Sequence, residues 1–575
     1  MALLLDKFRE ISVVDFEFIP QTDGTVKVIC CVWLELRTNR TLRLWHTEFD
    51  KTPPYGTGPD CLFIAYQASA EASCHEALGW SRPEFILDLY NEYRWLINGE
   101  TARPTGTPLL TALLHFGISS ITKEEKKTMR NLVLDGPSDA SQGWSREDRK
   151  KILTYCEGDV IETAQLFSKM KDSIDLPRAT LRGRYSYALA RVERIGVPFD
   201  EELRNQLKIN LSRIKTELIA EVDKDFDVYA GDSFNTNKFI EYLNRNDIEW
   251  PMLPSGHICL DDDAFEERAK VYPQLLPLRY LRGILSKQRI LDFPVGSDGR
   301  NRAYMWPFWT VTGRNMPRPN EFILGAPAWL RGLVKPREGE AFAVLDYVAQ
   351  EFAIGAVLSG DFNMIHAYES GDIYLWFAIK IGDAPPGATK ETHNALRDRY
   401  KACILGLQYE IQAPSLAEQL QRPTRDAARL LRLHREIFPC YWQWLEDVKN
   451  HAFIHAFQFA TYGWRKRITD NSCNDRAAGN FHSQANGGEM LRLATIYATE
   501  AGVPVCGLMH DAIAIVSPAE RIEADVTLLQ RCMERASEMV LEGYKLRVEP
   551  TIVHFPNRYM KEKGQPMWKE IMQRL

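Results

Sequence analysis

Two aspartates far apart in the chain each end or interrupt an apolar, strand-like run. Asp346 follows Phe342-Ala343-Val344-Leu345, and Asp511 lies within Val503–Val516, directly after His510. Carboxylates on adjacent strands can hold a pair of divalent ions, set about 3.5–4 Å apart in phosphoryl-transfer sites. Mg²⁺ prefers carboxylate oxygens and keeps several waters, so two aspartates suffice when nucleotide phosphates complete the shell. Between them Arg397, Lys401, Leu405 and Tyr409 recur at four-residue steps. Each such step on a helix turns about 40°, so the four form one gently winding stripe. An arginine and a lysine one turn apart can grip a triphosphate, and the combination suits nucleotidyl transfer.

A second constellation lies near the start. In Val13-Val14-Asp15-Phe16-Glu17-Phe18 the two carboxylates are i and i+2 of a strand and share a face. Tyr155-x3-Asp159 puts a phenol and a carboxylate one helical turn apart.

The elements that must position these groups are legible in outline. At 575 residues the chain exceeds a single core and implies two to four domains. Its 45% hydrophobic and 26% charged content suits a globular enzyme, and a net charge of -6 leaves room for a local basic groove. Eleven cysteines without a CxxC spacing argue for reduced thiols. No apolar stretch reaches the length of a membrane span, and the expected location is cytoplasmic. Ile11–Phe18 and Lys27–Leu36 read as paired strands with a turn at Asp23-Gly24. Leu62–Tyr66 reads as a strand, with helices near Ala68–Leu78 and Ile86–Ile97 and a long one over Ser145–Lys171. A join is expected at Asp172–Pro177. The region beyond it, to about Ile290, is predicted helical. Its Arg178, Arg182, Arg184, Arg191, Arg194, Arg279, Arg282, Lys287 and Arg289 suggest a nucleic-acid backbone track. Strands are predicted from Tyr304, helices from Phe362 to about Asn450, and strands again near Cys506 and Ala514.

Thr312-Gly313-Arg314, Asp346-Tyr347-x3-Glu351, Arg397-x3-Lys401-x3-Leu405-Gly406-x2-Tyr409 and His510-Asp511 resemble, in order and spacing, the motifs of family A DNA polymerases. The likeness runs from about Ala188 to the C-terminal strands. It implies a right-hand polymerase domain in which Asp346, Asp511 and the backbone carbonyl of Tyr347 hold two Mg²⁺ ions, for which Mn²⁺ can substitute. Arg397 and Lys401 would hold the phosphates of a deoxynucleoside triphosphate. Leu405 would lie against its sugar, Tyr409 behind the templating pair, and Glu351 would bond Tyr409 and exclude a 2′-hydroxyl. Arg314, Arg331, Asn480, Gln484 and His510 would touch primer-template DNA. Minor-groove acceptors are similar in all base pairs, so such contacts test shape. Two departures are Leu405, where the family has Phe or Tyr, and Ala512, where Glu commonly follows the aspartate.

The constellation near the start resembles a DEDDy 3′–5′ exonuclease with a ribonuclease-H-like fold. That likeness implies that Asp15, Glu17 and Asp159 hold metal and that Tyr155 orients the attacking water. At the middle motif Gln67 and Glu71 stand where Asn and Asp are usual, so Glu71 becomes the fourth ligand. Asp88, in Ile-Leu-Asp-Leu-Tyr, reads as structural.

The expected organisation is therefore α/β and multidomain. An exonuclease domain over 1–176 precedes a polymerase domain over 177–575, with thumb at about 177–300, palm at about 301–360 and 481–575, and fingers at about 361–480. The expected activity is template-directed DNA synthesis with proofreading, by a monomer, with a processivity partner left open. The compact layout, the wording of Ala65–His75 and Leu405 resemble phage replicases, including a DpoZ-like branch that accompanies 2-aminoadenine genomes. The competing expectations are a DNA-end-binding exonuclease or repair factor without productive polymerisation and, more remotely, a single-subunit RNA polymerase, which Glu351 opposes.

Overall fold

The computed structural model describes residues 5–100, 108–137, 143–253, 255–285, 292–420, 422–469 and 474–575. Its N-terminal part is a five-stranded sheet of β1 (Glu10–Pro20), β2 (Val26–Glu35), β3 (Arg40–Trp45), β4 (Cys61–Ala65) and β5 (Phe85–Asp88), in the order β3-β2-β1-β4-β5. The hairpin strands pair antiparallel, while β4 joins β1 and β5 joins β4 in parallel. Parallel pairing needs covering on both faces, which explains the unbroken burial of Ile11–Val14. The cover comes from α1 (Ser69–Leu78), α2 (Leu89–Leu96), α3 (Lys123–Leu134), α4 (Arg146–Met170) and α5 (Leu176–Ile195). Helix α4 starts where Ser145 accepts from the Asp148 amide, with Glu147 and Asp148 in its first turn. That end suits the helix dipole. Ile152, Cys156, Val160, Thr163, Phe167 and Met170 then form its buried stripe.

The stretch expected as one helix from Ile86 to Ile97 is instead a strand and a helix. Ile86 and Leu87 complete the buried edge of the sheet, and Asp88 starts α2 by accepting from the Tyr90 amide at 3.0 Å. The strands expected from Tyr304 shrink to a two-residue ladder, Met305–Trp306 with Met316–Pro317. Pro307, Pro317 and Pro319 remove the ladder amides a longer strand requires, and the next long strand begins only at Glu340.

Beyond α5 the chain is mainly helical to Leu285 among the described residues, with two-residue strands at Val197–Pro198, Tyr229–Ala230 and Ser233–Phe234. The second sheet is fully antiparallel and combines distant segments. It contains β6 (Glu340–Tyr347), α6 follows (Gln350–Ser359), and helices fill Phe362–His455, among them α7 (Lys390–Gln408). After α8 (Phe481–Glu500) come β7 (Val505–Met509), β8 (Ala512–Pro518) and β9 (Val548–His554), giving the order β7-β8-β6-β9. One large apolar core extends from Tyr185 to Ile571, beside a small separate cluster of Ala452, Ile468 and Ala478.

The arginines expected to track a nucleic-acid backbone are largely committed within the chain. Arg184 pairs with Glu500, Arg191 and Arg194 with Glu76, Arg178 with Asp175 and Arg279 with Glu266. Arg282 lies over Phe234 and Phe265. Lys287 and Arg289 lie outside the described residues. Arg182 makes a buried two-pronged bond to Glu92 at 2.6 and 2.8 Å, tying α5 to α2. Removing one partner leaves the other charge buried and unpaired. Arg182→Met is therefore expected to lose about 3–5 kcal/mol of stability, measured by denaturant unfolding, with Arg182→Met/Glu92→Leu losing less than the single change.

Candidate active sites

Asp15 and Glu17 project from one face of β1, and α4 lays Asp159 across them. Their ligand oxygens all lie within 4.8 Å of one another. The Cys156 thiol, three residues before Asp159 on α4, donates to Asp15 Oδ2 at 3.2 Å. Burial, then the neighbouring Asp159, pushes the Asp15 carboxyl above its ordinary range, and burial and Asp15 do the same to Glu17. Glu71 sits in the first turn of α1 and is not a member of that three-carboxylate group. It is nonetheless buried, its Oε2 has no hydrogen-bond partner, and burial and Asp15 raise its carboxyl. Tyr155 stands one turn before Asp159, its phenol also raised by burial and by that carboxylate. Asp88 accepts from the amides of Gln67, Ala68 and Tyr90 and from Ser186 Oγ at 2.7–3.0 Å. Its lone pairs are spent on holding the loop that leads to Glu71. Lys126 of α3, which the sequence did not single out, places Nζ 2.9 Å from Asp159 Oδ1 and over the Tyr155 ring.

In the second sheet Asp346 pairs in register with Ala512, so Asp511 at the β7–β8 turn lies beside it. The Tyr347 amide donates to the Asp511 carbonyl at 3.3 Å, and its phenol is anchored inside on the Met533 carbonyl. Burial, then Asp511, raises the Asp346 carboxyl, while Lys561 opposes the shift. One cavity is lined by Arg314, Arg331, Asp346, His510, Asp511 and Lys561. Lys561 was another residue the sequence did not single out, and it has no motif to mark it.

The stripe on α7 presents Lys401 and Leu405 to solvent while Tyr400, Cys403, Ile404 and Leu407 pack inward. Tyr409, expected on the same helix, is its terminal cap residue one step beyond Gln408. Arg397 is half-buried, bonded to Asp372 and placed over Tyr374. Glu351, in the first turn of α6, joins two other sequence-marked residues. It accepts from Arg314 at 2.8 Å and from the Tyr409 phenol. Gln484 also bonds Tyr409, and its backbone N–H donates to the Asn480 carbonyl, 3.2 Å away, where α8 begins. The turn before Arg314 needs glycine: Gly313 has φ +75°, and a Cβ would come within 2.9 Å of the Trp464 ring. Arg331 is placed by a bond to the Ala326 carbonyl.

Residues 323–553, which include β6, the α7 stripe and His510-Asp511, match the family model of DNA polymerase family A. The DNA polymerase I of Aquifex aeolicus is 26% identical over 441 residues, covering 70% of this chain and 75% of that protein. The thermostable DNA polymerase I of Thermus aquaticus is 25% identical over 378 residues, 61% of this chain. The chain matches less than half (45%) of the Thermus protein's length. In fold, the chain is similar to the POL domain of Pol1 from M. smegmatis, solved with DNA primer-template and dNTP. The TM-score is 0.71 at 17% identity, over 96% of this chain and 97% of that one. The family A region leaves the N-terminal sheet and its carboxylate cluster outside the matched residues.

Proposed function

We propose that this protein is a template-directed DNA polymerase with a 3′–5′ proofreading exonuclease, partnered by primer-template DNA and deoxynucleoside triphosphates. The observation that carries the synthetic half is the meeting of Asp346 and Asp511 in one cavity with Arg331, all within the residues that match the family A model, and with Lys561 just beyond them. The assignment of residues 1–176 to a ribonuclease-H-like exonuclease domain rests on the Asp15–Glu17–Asp159 cluster. The rest follows as thumb, palm and fingers.

Both sites suit a divalent cation by their donor sets. Asp346 Oδ1 and Glu71 Oε2 are buried oxygens without a hydrogen-bond partner, a costly state that a cation would relieve. Asp346 and Asp511, with the Tyr347 carbonyl, would hold Mg²⁺ in one site, and Asp15, Glu17, Asp159 and Glu71 would hold it in the other. When bound, such ions polarise the phosphate and activate the attacking oxygen.

The chain's own residues position the substrate. Arg397 and Lys401 hold the triphosphate as charged donors, Arg397 exchanging Asp372 for phosphate. Leu405 supports the sugar, Tyr409 backs the template base, and Arg314, Arg331, Asn480, Gln484 and His510 bear on the duplex. In synthesis the primer 3′ oxygen bonds to the α-phosphorus while the bond to pyrophosphate breaks. In proofreading Tyr155 orients the water that releases a nucleoside 5′-monophosphate.

Glu351 forms the sugar gate, because its bonds to Arg314 and Tyr409 fix a carboxylate where a 2′-hydroxyl would need room. Glu351→Ala is expected to raise ribonucleotide relative to deoxynucleotide incorporation about 10²-fold, roughly 2.7 kcal/mol of discrimination. Single-nucleotide insertion on a matched primer-template measures this. Insertion of neither nucleotide by the wild type would remove the polymerase reading.

A further inference from the structure

We propose that Lys126 is a catalytic residue of the exonuclease site. Its ammonium balances the carboxylate cluster in the metal-free chain and turns to the scissile phosphate when divalent ions enter. The inference rests on the exonuclease reading above.

Three observations support it. First, Lys126 reaches into the cluster: Nζ bonds Asp159 Oδ1 at 2.9 Å and lies 5.9 Å from the centre of the Tyr155 ring, the group that orients water. Second, the contact lies at the mouth of the site, the lysine side chain being 23% exposed and the aspartate 13%. Third, α3 is built to present this residue. Thr122 and Glu125 form a reciprocal capping box that fixes its first turn, Val133 is buried, and α3 packs on β1 and α4. Lys123, Lys126 and Arg130 are spaced to share one face, and a basic face beside a nuclease cluster suits the backbone of a single strand.

The chemistry follows from charge. Asp15, Glu17 and Asp159 are crowded, and the ammonium compensates part of their repulsion. Divalent ions held by the same carboxylates repel it. Its four-carbon stem lets the head swing while the helix stays fixed, and the anions left for it are Glu162, whose carboxyl already feels it, and the phosphodiester at the strand's 3′ end. During hydrolysis the water oxygen bonds to phosphorus, and the bond from phosphorus to the 3′ oxygen of the shortened strand breaks. That oxygen takes up a proton and the water gives one to solvent. Lys126 keeps its proton and makes no covalent bond. It stabilises the extra negative charge on the non-bridging oxygens.

The test uses the full chain, with wild type, Lys126→Met and Lys126→Arg. Calorimetric Mn²⁺ titration gives affinity, with Asp15→Asn identifying the component that belongs to this site. Single-turnover shortening of a single-stranded oligonucleotide at saturating Mn²⁺ gives the rate, and melting in EDTA checks folding. Lys126→Met is expected to bind Mn²⁺ about threefold to tenfold more tightly, since a competing cation is gone. It should shorten the strand about 10²-fold more slowly, with Lys126→Arg recovering much of the rate. Tighter Mn²⁺ binding with an unchanged rate would reduce Lys126 to a counter-ion and overturn the proposal. An unchanged affinity and rate would make the contact a surface salt bridge and overturn it too. A wild type with no Asp15-dependent Mn²⁺ component and no shortening would overturn the exonuclease reading itself.

Discussion

Asp346→Ala is expected to lower the rate of primer extension by about 10³-fold or more while still shortening primers in Mg²⁺ without nucleotides. The size follows from what the carboxylate does. Asp346 contributes a buried oxygen with no hydrogen-bond partner beside Asp511. Losing it forfeits several kcal/mol of charge stabilisation, each 1.36 kcal/mol being about tenfold in rate. The fold should survive, because Asp346 sits at the open end of β6 while Ala341–Leu345 carry the packing. Removing a carboxylate that burial and Asp511 have raised above its ordinary range also relieves repulsion, so melting in EDTA should stay level or rise. Running-start extension on a gel, with melting curves alongside, checks both halves.

Asp15→Ala should give the mirror image: loss of shortening by about 10³-fold with extension of a matched primer retained. Asp15 is the centre of its cluster, since it is among the raising influences on Glu17 and Glu71 and itself accepts from Cys156. Glu71→Gln is expected to cost less, about 10²-fold, the scale of an ångström's misplacement of a catalytic group. Glu71 lies outside the three carboxylates that meet within 4.8 Å. Equal losses for Asp15→Ala and Glu71→Gln would make Glu71 a full ligand. Degradation of a labelled single strand, by product per unit time, separates the cases.

The strands that bear Asp346 and Asp511 were legible because Phe342–Leu345 is a short apolar run and Val503–Val516 is rich in β-branched residues and broken in its middle by the polar pair His510-Asp511. Helix α4 was legible from its Ser145 start and its stripe. What sequence spacing missed depends on partners far along the chain. Ile86 and Leu87 look helical beside Tyr90 and Tyr93, and only pairing with Phe63 and Ile64 of β4 makes them a strand. Arg184 and Arg191 look like phosphate ligands until Glu500 and Glu76 arrive from elsewhere. Lys126 was hidden in Lys-Glu-Glu-Lys-Lys, where any lysine reads as a solvated face; its bond to Asp159 spans 33 residues. The Arg314–Glu351–Tyr409 link was partly visible, since a resemblance joined Glu351 to Tyr409, but Arg314 on the same carboxylate appeared only in three dimensions.

The most direct test of the central claim is one gel. Wild-type protein in Mg²⁺ is given a labelled primer on its template, with a matched or a mismatched 3′ end, and with or without the four deoxynucleotides. Two sites in one chain predict lengthening of the matched primer with nucleotides and shortening of either primer without them. They also predict lengthening of the mismatched primer only after its end is trimmed. Shortening under every condition would contradict the account and leave an exonuclease whose polymerase fold only grips DNA.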